Sequence, residues 1–252
     1  METYFNIRYE FDKTEVHNAI ARQITNKRAN YICVADGVVL NTVNSNADYA
    51  SIVNSGMFAI CDSSYVPLYL RFIYGKHYEQ YCGSDIFSDI ISSGKYRMAF
   101  LGTNQPTLNA LREKLARINP GVKQMLFYEL PFCTVDGFDY PAIARMLEDD
   151  GADIIWVALG APKQDIFMAR LNPFLNHGVM IGVGAAFKFF SGTGIKRAPK
   201  WMVNHHLEFV YRILSEPGKQ IRRCRTILAN LPQILYKEWK KKQKKDNKNT
   251  RL

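Results

Sequence analysis

Two aspartates each close an apolar, strand-like run, and their carboxylates could act as bases. Asp36 follows Tyr31–Ala35, and Asp62 follows Met57–Cys61. A carboxylate that opens into a crevice but is backed by an apolar core takes up a proton more readily, which suits general base catalysis. Either aspartate alone could equally cap a helix or a turn. Their matching positions favour a catalytic role for Asp62 and Asp36.

A second stretch, Val179 to Trp201, combines a buried run with small residues and two cations. Glycine and alanine leave the backbone open to a ligand, and cations beyond them suit a bound diphosphate. A tight turn between strand and helix with solvated lysines would give the same pattern. The candidate binding residues in this stretch are Gly182, Gly184, Ala185, Lys188, Lys196 and Arg197.

The second half of the chain alternates regularly between strands and helices. Strands are predicted at Met98–Leu101, Val122–Glu129, Asp153–Ala158 and from Val179, with amphipathic helices between them. This order predicts an α/β fold, a Rossmann-like parallel sheet with helices on both faces. Ligands of such sheets bind at the carboxyl ends of the strands. The same crevice should therefore collect Asp36, Asp62, Gly102, Thr103, Asn104, Gly160, Ala161, Pro162, Gln164 and the turn 182–188.

The first half is less regular. It predicts a strand at Tyr4–Phe11, a helix capped by Asp12, a helix over Ala47–Asn54, an apolar helix over Val66–Tyr74 and a short helix capped by Ser84. We expect one α/β domain over residues 1–200 and a helical appendage over 201–252.

Composition excludes several classes of protein. The sequence contains no run of eighteen apolar residues, so no membrane-spanning helix is predicted. The first residues lack the positively charged and then apolar segments of a signal peptide. Five scattered cysteines without a CxxC pair predict a reducing cytosol, and no cluster has metal-ligand spacing. The segment GVGAAF lacks the third glycine of a dinucleotide fingerprint, and no phosphate-loop or GxSxG motif is present. We therefore expect no metal and no cofactor.

The positive charge is confined to the tail. Residues 219–252 hold twelve lysines and arginines against two acids, while the rest of the chain is balanced. Apolar residues recur every three or four positions from Ile221 to Leu235, which predicts a basic amphipathic helix on an anionic membrane surface. Nucleic acid fits the charge but not the apolar stripe, and a helix docked on the body is the alternative. Deletion of 219–252 is expected to leave the fold intact. The candidate membrane-binding residues are Arg222, Arg223, Arg225, Trp239, Lys240 and Lys241.

Three motifs in order, LGAPKQD at 159–165, GVGAAF at 182–187 and RAPKW at 197–201, resemble the WecG/TagA/CpsF family, glycosyltransferases of family 26. The likeness covers about residues 3–230. It implies metal-free, inverting transfer from a UDP-sugar to a polyprenyl-diphosphate-linked saccharide. It also implies a role in teichoic acid, enterobacterial common antigen or capsule synthesis. The protein would then act in the cytoplasm, peripherally bound to the inner face of the membrane. The resemblance leaves the oligomeric state open, a homo-oligomer included.

The resemblance also assigns site residues. Asp62 matches the catalytic aspartate of the family, and Gly83-Ser-Asp85 matches a family motif. Five positions differ from the family pattern: Val34-Ala-Asp36 replaces Thr-x-Asn, Ser63 replaces glycine, Gln80 replaces arginine and Lys188 replaces aspartate. These changes support a second hypothesis, a non-catalytic scaffold that binds a UDP-sugar or a lipid intermediate.

Overall fold

The computed structural model describes residues 1–193, 202, 211 and 217–249. Within them, eight strands form one sheet in the order β1-β2-β4-β3-β8-β7-β5-β6, and all neighbours are parallel except β1 and β2. The predicted α/β fold with a mainly parallel sheet is confirmed. The strands are β1 Glu2–Tyr4, β2 Ile7–Tyr9, β3 Ala29–Ala35, β4 Phe58–Cys61, β5 Met98–Gly102, β6 Leu126–Tyr128, β7 Ile154–Ala158 and β8 Gly178–Gly182.

Helices cover both faces of the sheet, as predicted. One core contains apolar residues of α2, α3, α4, α7, α8 and α10, and the other contains those of α1, α5, α6 and α9. The helices are α1 Lys13–Thr25, α2 Gly37–Ser45, α3 Ala47–Ser55, α4 Tyr65–Tyr74, α5 Gly83–Ser93, α6 Gln105–Leu115, α7 Tyr140–Asp150, α8 Lys163–Leu171, α9 Ala186–Ser191 and α10 Pro217–Asn249.

The first strand of the sequence prediction is in fact a hairpin. Phe5 and Asn6 both have positive φ, +50° and +60°, and join β1 to β2 in a two-residue turn. Asparagine often adopts this conformation, but phenylalanine rarely does. The Phe5 ring is fully buried, so its packing in the core outweighs the local preference.

Three other features differ from the sequence prediction. The sequence analysis did not predict helix α2, which is short and is separated from α3 only by Asn46. Ser84 does not cap α5; the helix begins at Gly83, and its N-cap residue Cys82 makes no side-chain cap bond. The strand predicted over Val122–Glu129 is a 3₁₀ helix, Pro120–Gln124, followed by β6.

The long helix α10 packs against the body. Ile234 is buried in the same core as residues of α2 and α4, and the Asn230 side-chain amide donates to Asn41 Oδ1 on α2 at 2.8 Å. The carboxyl group of Glu238 accepts hydrogen bonds from the Phe5 backbone N–H at 2.9 Å and the Tyr74 hydroxyl at 2.7 Å. The inward face of α10 is therefore part of the fold, contrary to the expected dispensable tail.

Candidate active site

Asp36 and Asp62 lie side by side at the carboxyl edge of the sheet. Their strands, β3 and β4, are parallel neighbours in a register that pairs Ala35 with Cys61, and each aspartate is the next residue. The Asp62 backbone N–H donates to the Ala35 carbonyl at 3.0 Å. Helices α2 and α3, which follow β3, pack on one face of the sheet, and α9, which follows the neighbouring β8, packs on the other. A topological switch point therefore lies between β3 and β8, beside these aspartates.

The two aspartates have different surroundings. Asp36 is the N-cap of α2, and its Oδ1 accepts from the backbone N–H groups of Val38 and Val39 at 2.8 and 3.0 Å. Asp62 Oδ1 accepts from the backbone N–H of Gly83, the first residue of α5, at 3.1 Å. Both carboxylates are half-buried and held by helix N-termini, where negative charge is favourable.

The segment before α5 brings Gln80 to the same place. The Tyr81 backbone N–H donates to the Cys61 carbonyl at 3.0 Å, so the half-buried Gln80 lies beside the end of β4. Val34 packs under this segment: a methyl group at Gly83 would lie 3.1 Å from Val34 Cγ1. The position where the resembling family has threonine is therefore an apolar support for the start of α5.

Gln164 joins the two loops on the other side of the switch point. Its side chain is buried; Oε1 accepts from the Gly160 and Gly184 backbone N–H groups, both at 3.0 Å, and Nε2 donates to the Gly182 carbonyl at 3.1 Å. A methyl group at Gly182 would lie 2.9 Å from Nε2. Gly182 therefore makes room for Gln164, and the glutamine fixes the loops that carry Gly160, Ala161, Pro162, Gly184 and Ala185.

Several helix N-termini converge on this edge. Helices α2, α4, α6, α8 and α9 follow β3, β4, β5, β7 and β8 directly. Asn104 caps α6 by accepting from the Thr107 N–H at 3.0 Å, and Thr103 before it has a φ of +55°. Within the described residues, the N-cap residues of α8 and α9, Pro162 and Ala185, make no side-chain cap bond. The positive ends of these helix dipoles favour an anion such as a diphosphate nearby.

The predicted cations are only partly described. Lys188 is exposed on α9, which packs against α6. Lys196 and Arg197 lie outside the described residues, as do the side chains of Arg222 and Arg223, although α10 passes through the latter two positions. Arg225, Trp239, Lys240 and Lys241 are exposed on α10.

The sequence analysis missed a buried acid directly after Gln164. Asp165 is fully buried, and its Oδ2 accepts from the Tyr49 hydroxyl at 2.5 Å. Burial raises its pKa from 3.8 to about 7; the negative charge of Asp36 adds to the rise, while the Tyr49 hydroxyl and the Cys33 thiol oppose it. None of these three neighbours carries a positive charge. The available signal was helical spacing, because Asp165 lies three and six residues before Met168 and Leu171, on the buried face of α8.

We expect Asp165→Asn to abolish a pH dependence of stability. The folded state holds a proton on Asp165 up to about pH 7, whereas the unfolded chain releases it near pH 4, so stability falls as pH rises between these values. Asparagine cannot ionise, so at pH 8 the variant should be more stable than wild type by on the order of 2 kcal/mol. Urea unfolding at pH 5 and pH 8 measures this.

The control for this prediction is Asp136→Asn, which removes an exposed aspartate paired with Arg170. It should leave the difference between pH 5 and pH 8 unchanged. Equal pH dependence in wild type and Asp165→Asn would mean that Asp165 is already ionised in the folded state at pH 5.

Two further features concern metal binding and membrane-spanning helices. Among the described residues, no group of three or more His, Cys, Asp or Glu side chains could hold a metal ion. No helix in the same part of the chain is long and apolar enough to cross a membrane. The sheet, its switch point and the carboxylates beside it define an α/β protein with a ligand crevice at the carboxyl ends of its strands.

The comparisons with known proteins identify the family. The model of the glycosyl transferase WecG/TagA/CpsF family matches residues 4–248, so the chain belongs to this family of glycosyltransferases. A relative from Bacillus subtilis (strain 168) is 27% identical over 231 residues, 86% of this chain and 85% of its own length. A second, from Bacillus spizizenii (strain ATCC 23059 / NRRL B-14472 / W23), is 27% identical over 179 residues, 69% of this chain and 66% of its own length. Both are named N-acetylglucosaminyldiphosphoundecaprenol N-acetyl-beta-D-mannosaminyltransferase.

Proposed function

We propose that this protein is an inverting, metal-independent glycosyltransferase of cell-envelope or capsular polysaccharide synthesis. It would move N-acetylmannosamine or another hexose from a UDP-sugar to a polyprenyl-diphosphate-linked saccharide. The names of the two Bacillus relatives support a lipid-diphosphate acceptor that carries N-acetylglucosamine. The observation that carries the proposal is the Asp62 carboxylate at the switch-point crevice, opposite the two loops joined by Gln164.

In this proposal Asp62 is the general base. Its carboxylate takes the proton of the acceptor hydroxyl as the hydroxyl oxygen bonds to the anomeric carbon of the donor sugar. The bond from that carbon to the diphosphate breaks on the opposite side, and UDP leaves, which inverts the anomeric configuration. The Gly83 N–H holds one carboxylate oxygen and thereby fixes the direction of the base.

The loops opposite Asp62 would hold the departing diphosphate. Without a metal ion, the negative charge that develops on UDP needs fixed positive charge or N–H donors. The N-termini of α8 and α9 place the positive ends of their helix dipoles at the carboxyl ends of β7 and β8. Binding roles follow for Gly102, Thr103, Asn104, Gly160, Ala161, Pro162, Gln164, Gly182, Gly184 and Ala185, with Lys188, Lys196 and Arg197 as the cations.

Lys188 has a testable role in this site. The chain has Gln80 where the family has arginine, and we propose that the Lys188 ammonium group supplies the missing cation to the diphosphate. Lys188→Ala should weaken UDP binding by about 1.5–3 kcal/mol, the usual range for a hydrogen bond to a charged group. The side chain is exposed, so its loss should cost little stability. Calorimetry with UDP measures the change.

Two further variants sharpen the Lys188 test. Adding Gln80→Arg to Lys188→Ala should recover part of the lost affinity, since arginine offers a two-pronged grip on a diphosphate. Lys114→Ala removes an exposed lysine from the last turn of α6, at the other end of that helix from the crevice, and should change nothing. An unchanged dissociation constant in Lys188→Ala would make Lys188 a solvated surface lysine.

Peripheral membrane association also belongs to this proposal. The face of α10 that points away from the body exposes apolar residues three, four or seven positions apart, with basic residues beside them. Such a face suits the headgroup region of an anionic membrane. The membrane would present the acceptor to the crevice, since α10 contacts Gly37 beside Asp36. The exposed apolar residues of this face are Ile221, Leu228, Pro232, Tyr236 and Trp239.

A second candidate function is a non-catalytic scaffold that binds the UDP-sugar or the lipid intermediate. The packing of Val34 against Gly83 favours it, because this position offers no hydroxyl group to a substrate. An assay of UDP release decides between the two. It would test a set of UDP-sugars with a lipid-diphosphate-N-acetylglucosamine analogue, with and without EDTA. Release that needs the acceptor and resists EDTA supports the enzyme; binding without release supports the scaffold.

A further inference from the structure

Helix α4 has an apolar stripe that faces solvent. Leu68 and Phe72, four residues apart on one face, are 43% and 91% exposed, and Arg71 between them is exposed as well. The opposite face of α4 is buried in the core through Leu70 and its neighbours. A phenylalanine this exposed is costly in water unless a partner covers it.

Helices α4 and α10 lie side by side on the same face of the sheet. The Tyr74 hydroxyl at the end of α4 donates to Glu238 on α10 at 2.7 Å. Leu70 and Ile234 are buried in the same core cluster. Since both helices turn their buried faces to that core, their outward faces share one surface. The stripe of Leu68 and Phe72 therefore lies on the same outer side of the molecule as the apolar face of α10.

The positive charge of this surface favours an anionic binding partner. The exposed cations on its two helices include Arg71 on α4 and Arg225, Lys237 and Lys240 on α10. Two copies of the chain docked through this surface would bring like charges together, which is unfavourable. Anionic lipid complements both the cations and the apolar side chains.

We propose that α4 and α10 form a single membrane-docking surface, in which Leu68 and Phe72 insert beside the aromatic residues of α10. This docking proposal rests on the proposed function in one respect, namely that the acceptor is lipid-linked. A contact through one helix would let the body rotate about that helix. The second line of contact along α4 removes this freedom and sets the crevice at a fixed angle to the membrane, because α4 begins just after Asp62.

The test measures vesicle binding of the full chain carrying Leu68→Ser and Phe72→Ser. Co-sedimentation with phosphatidylglycerol–phosphatidylcholine vesicles should weaken by roughly tenfold or more, the effect of keeping one large apolar side chain out of the lipid. Phe132→Ser is the matched control, because Phe132 is fully exposed in the loop after β6, at the opposite edge of the sheet. It should bind as wild type does. Unchanged binding of the double variant, or an equal loss in Phe132→Ser, overturns the proposal.

Two additional measurements separate this proposal from its alternatives. UDP release with a water-soluble acceptor analogue should be the same in wild type and the double variant. If neither releases UDP, the proposed function fails, while a loss of vesicle binding still supports the docking surface. Sedimentation without vesicles tests a second copy as the occupant. A lower mass for the double variant with unchanged vesicle binding would overturn the membrane assignment.

Discussion

Asp62→Asn should lower the rate of sugar transfer by about 10²–10⁴-fold, the usual contribution of a positioned general base. Asparagine has nearly the same shape, and its Oδ1 can still accept the Gly83 N–H, so the start of α5 should keep its position. Donor affinity should change little, because the base acts on the acceptor. Single-turnover transfer and calorimetry with UDP measure the two quantities separately.

Asp36→Asn is the informative companion, since Asp36 occupies the matching position on β3. Asparagine caps helices about as well as aspartate, so α2 should form normally in this variant. We expect a loss of transfer at least tenfold smaller than in Asp62→Asn. Equal losses would mean that the two carboxylates work as a pair, and a loss of UDP affinity in Asp62→Asn would make Asp62 a binding residue.

Deletion of residues 219–252 should destabilise the protein by about 3–6 kcal/mol. The deletion removes the buried Ile234 side chain, worth about 1.5–3 kcal/mol. It also removes both hydrogen bonds of Glu238, which leaves the buried Phe5 N–H without its acceptor, at a further cost of about 1–3 kcal/mol. The sum is comparable with the whole stability of many domains. Urea unfolding of the purified variant measures it.

A shorter deletion serves as the control. Removing residues 243–252 takes away lysines and the surface pair of Lys242 and Asp246 but keeps Glu238 and the Lys241 contact with the Thr3 carbonyl. Its free energy of unfolding should match that of the full chain within about 0.5 kcal/mol. If the long deletion also has the free energy of unfolding of the full chain, α10 contributes nothing to the stability of the fold.

The second half of the sheet was predictable because each strand there is an apolar run followed by an amphipathic helix. The hairpin at Phe5 was not, since the burial of that ring depends on residues far along the chain. The inward face of α10 was hidden for the same reason. Ile227, Ile234 and Glu238 lie on one helical face, but the basic residues around them give the sequence the pattern of a surface helix.

The shared position of the candidate residues was easier to predict than the contacts among them. The rule for parallel sheets predicts that Asp36, Asp62 and the glycine loops lie at one edge of the sheet, and they do. This rule does not predict that the Gln164 side-chain amide makes hydrogen bonds to three backbone groups. It also does not predict that the Asp62 carboxylate accepts a hydrogen bond from the first residue of α5. Such bonds depend on distances between loops, which sequence spacing does not fix.

The hydrogen bond from Phe5 to Glu238 links residues 233 positions apart. During synthesis Phe5 leaves the ribosome before Glu238, which follows only after all eight strands of the described sheet have been made. The turn between the first two strands therefore gains this acceptor late. Until then the Phe5 N–H has to bond to water, so the contact that ties the first hairpin to the last helix forms only after residue 238 has been synthesised.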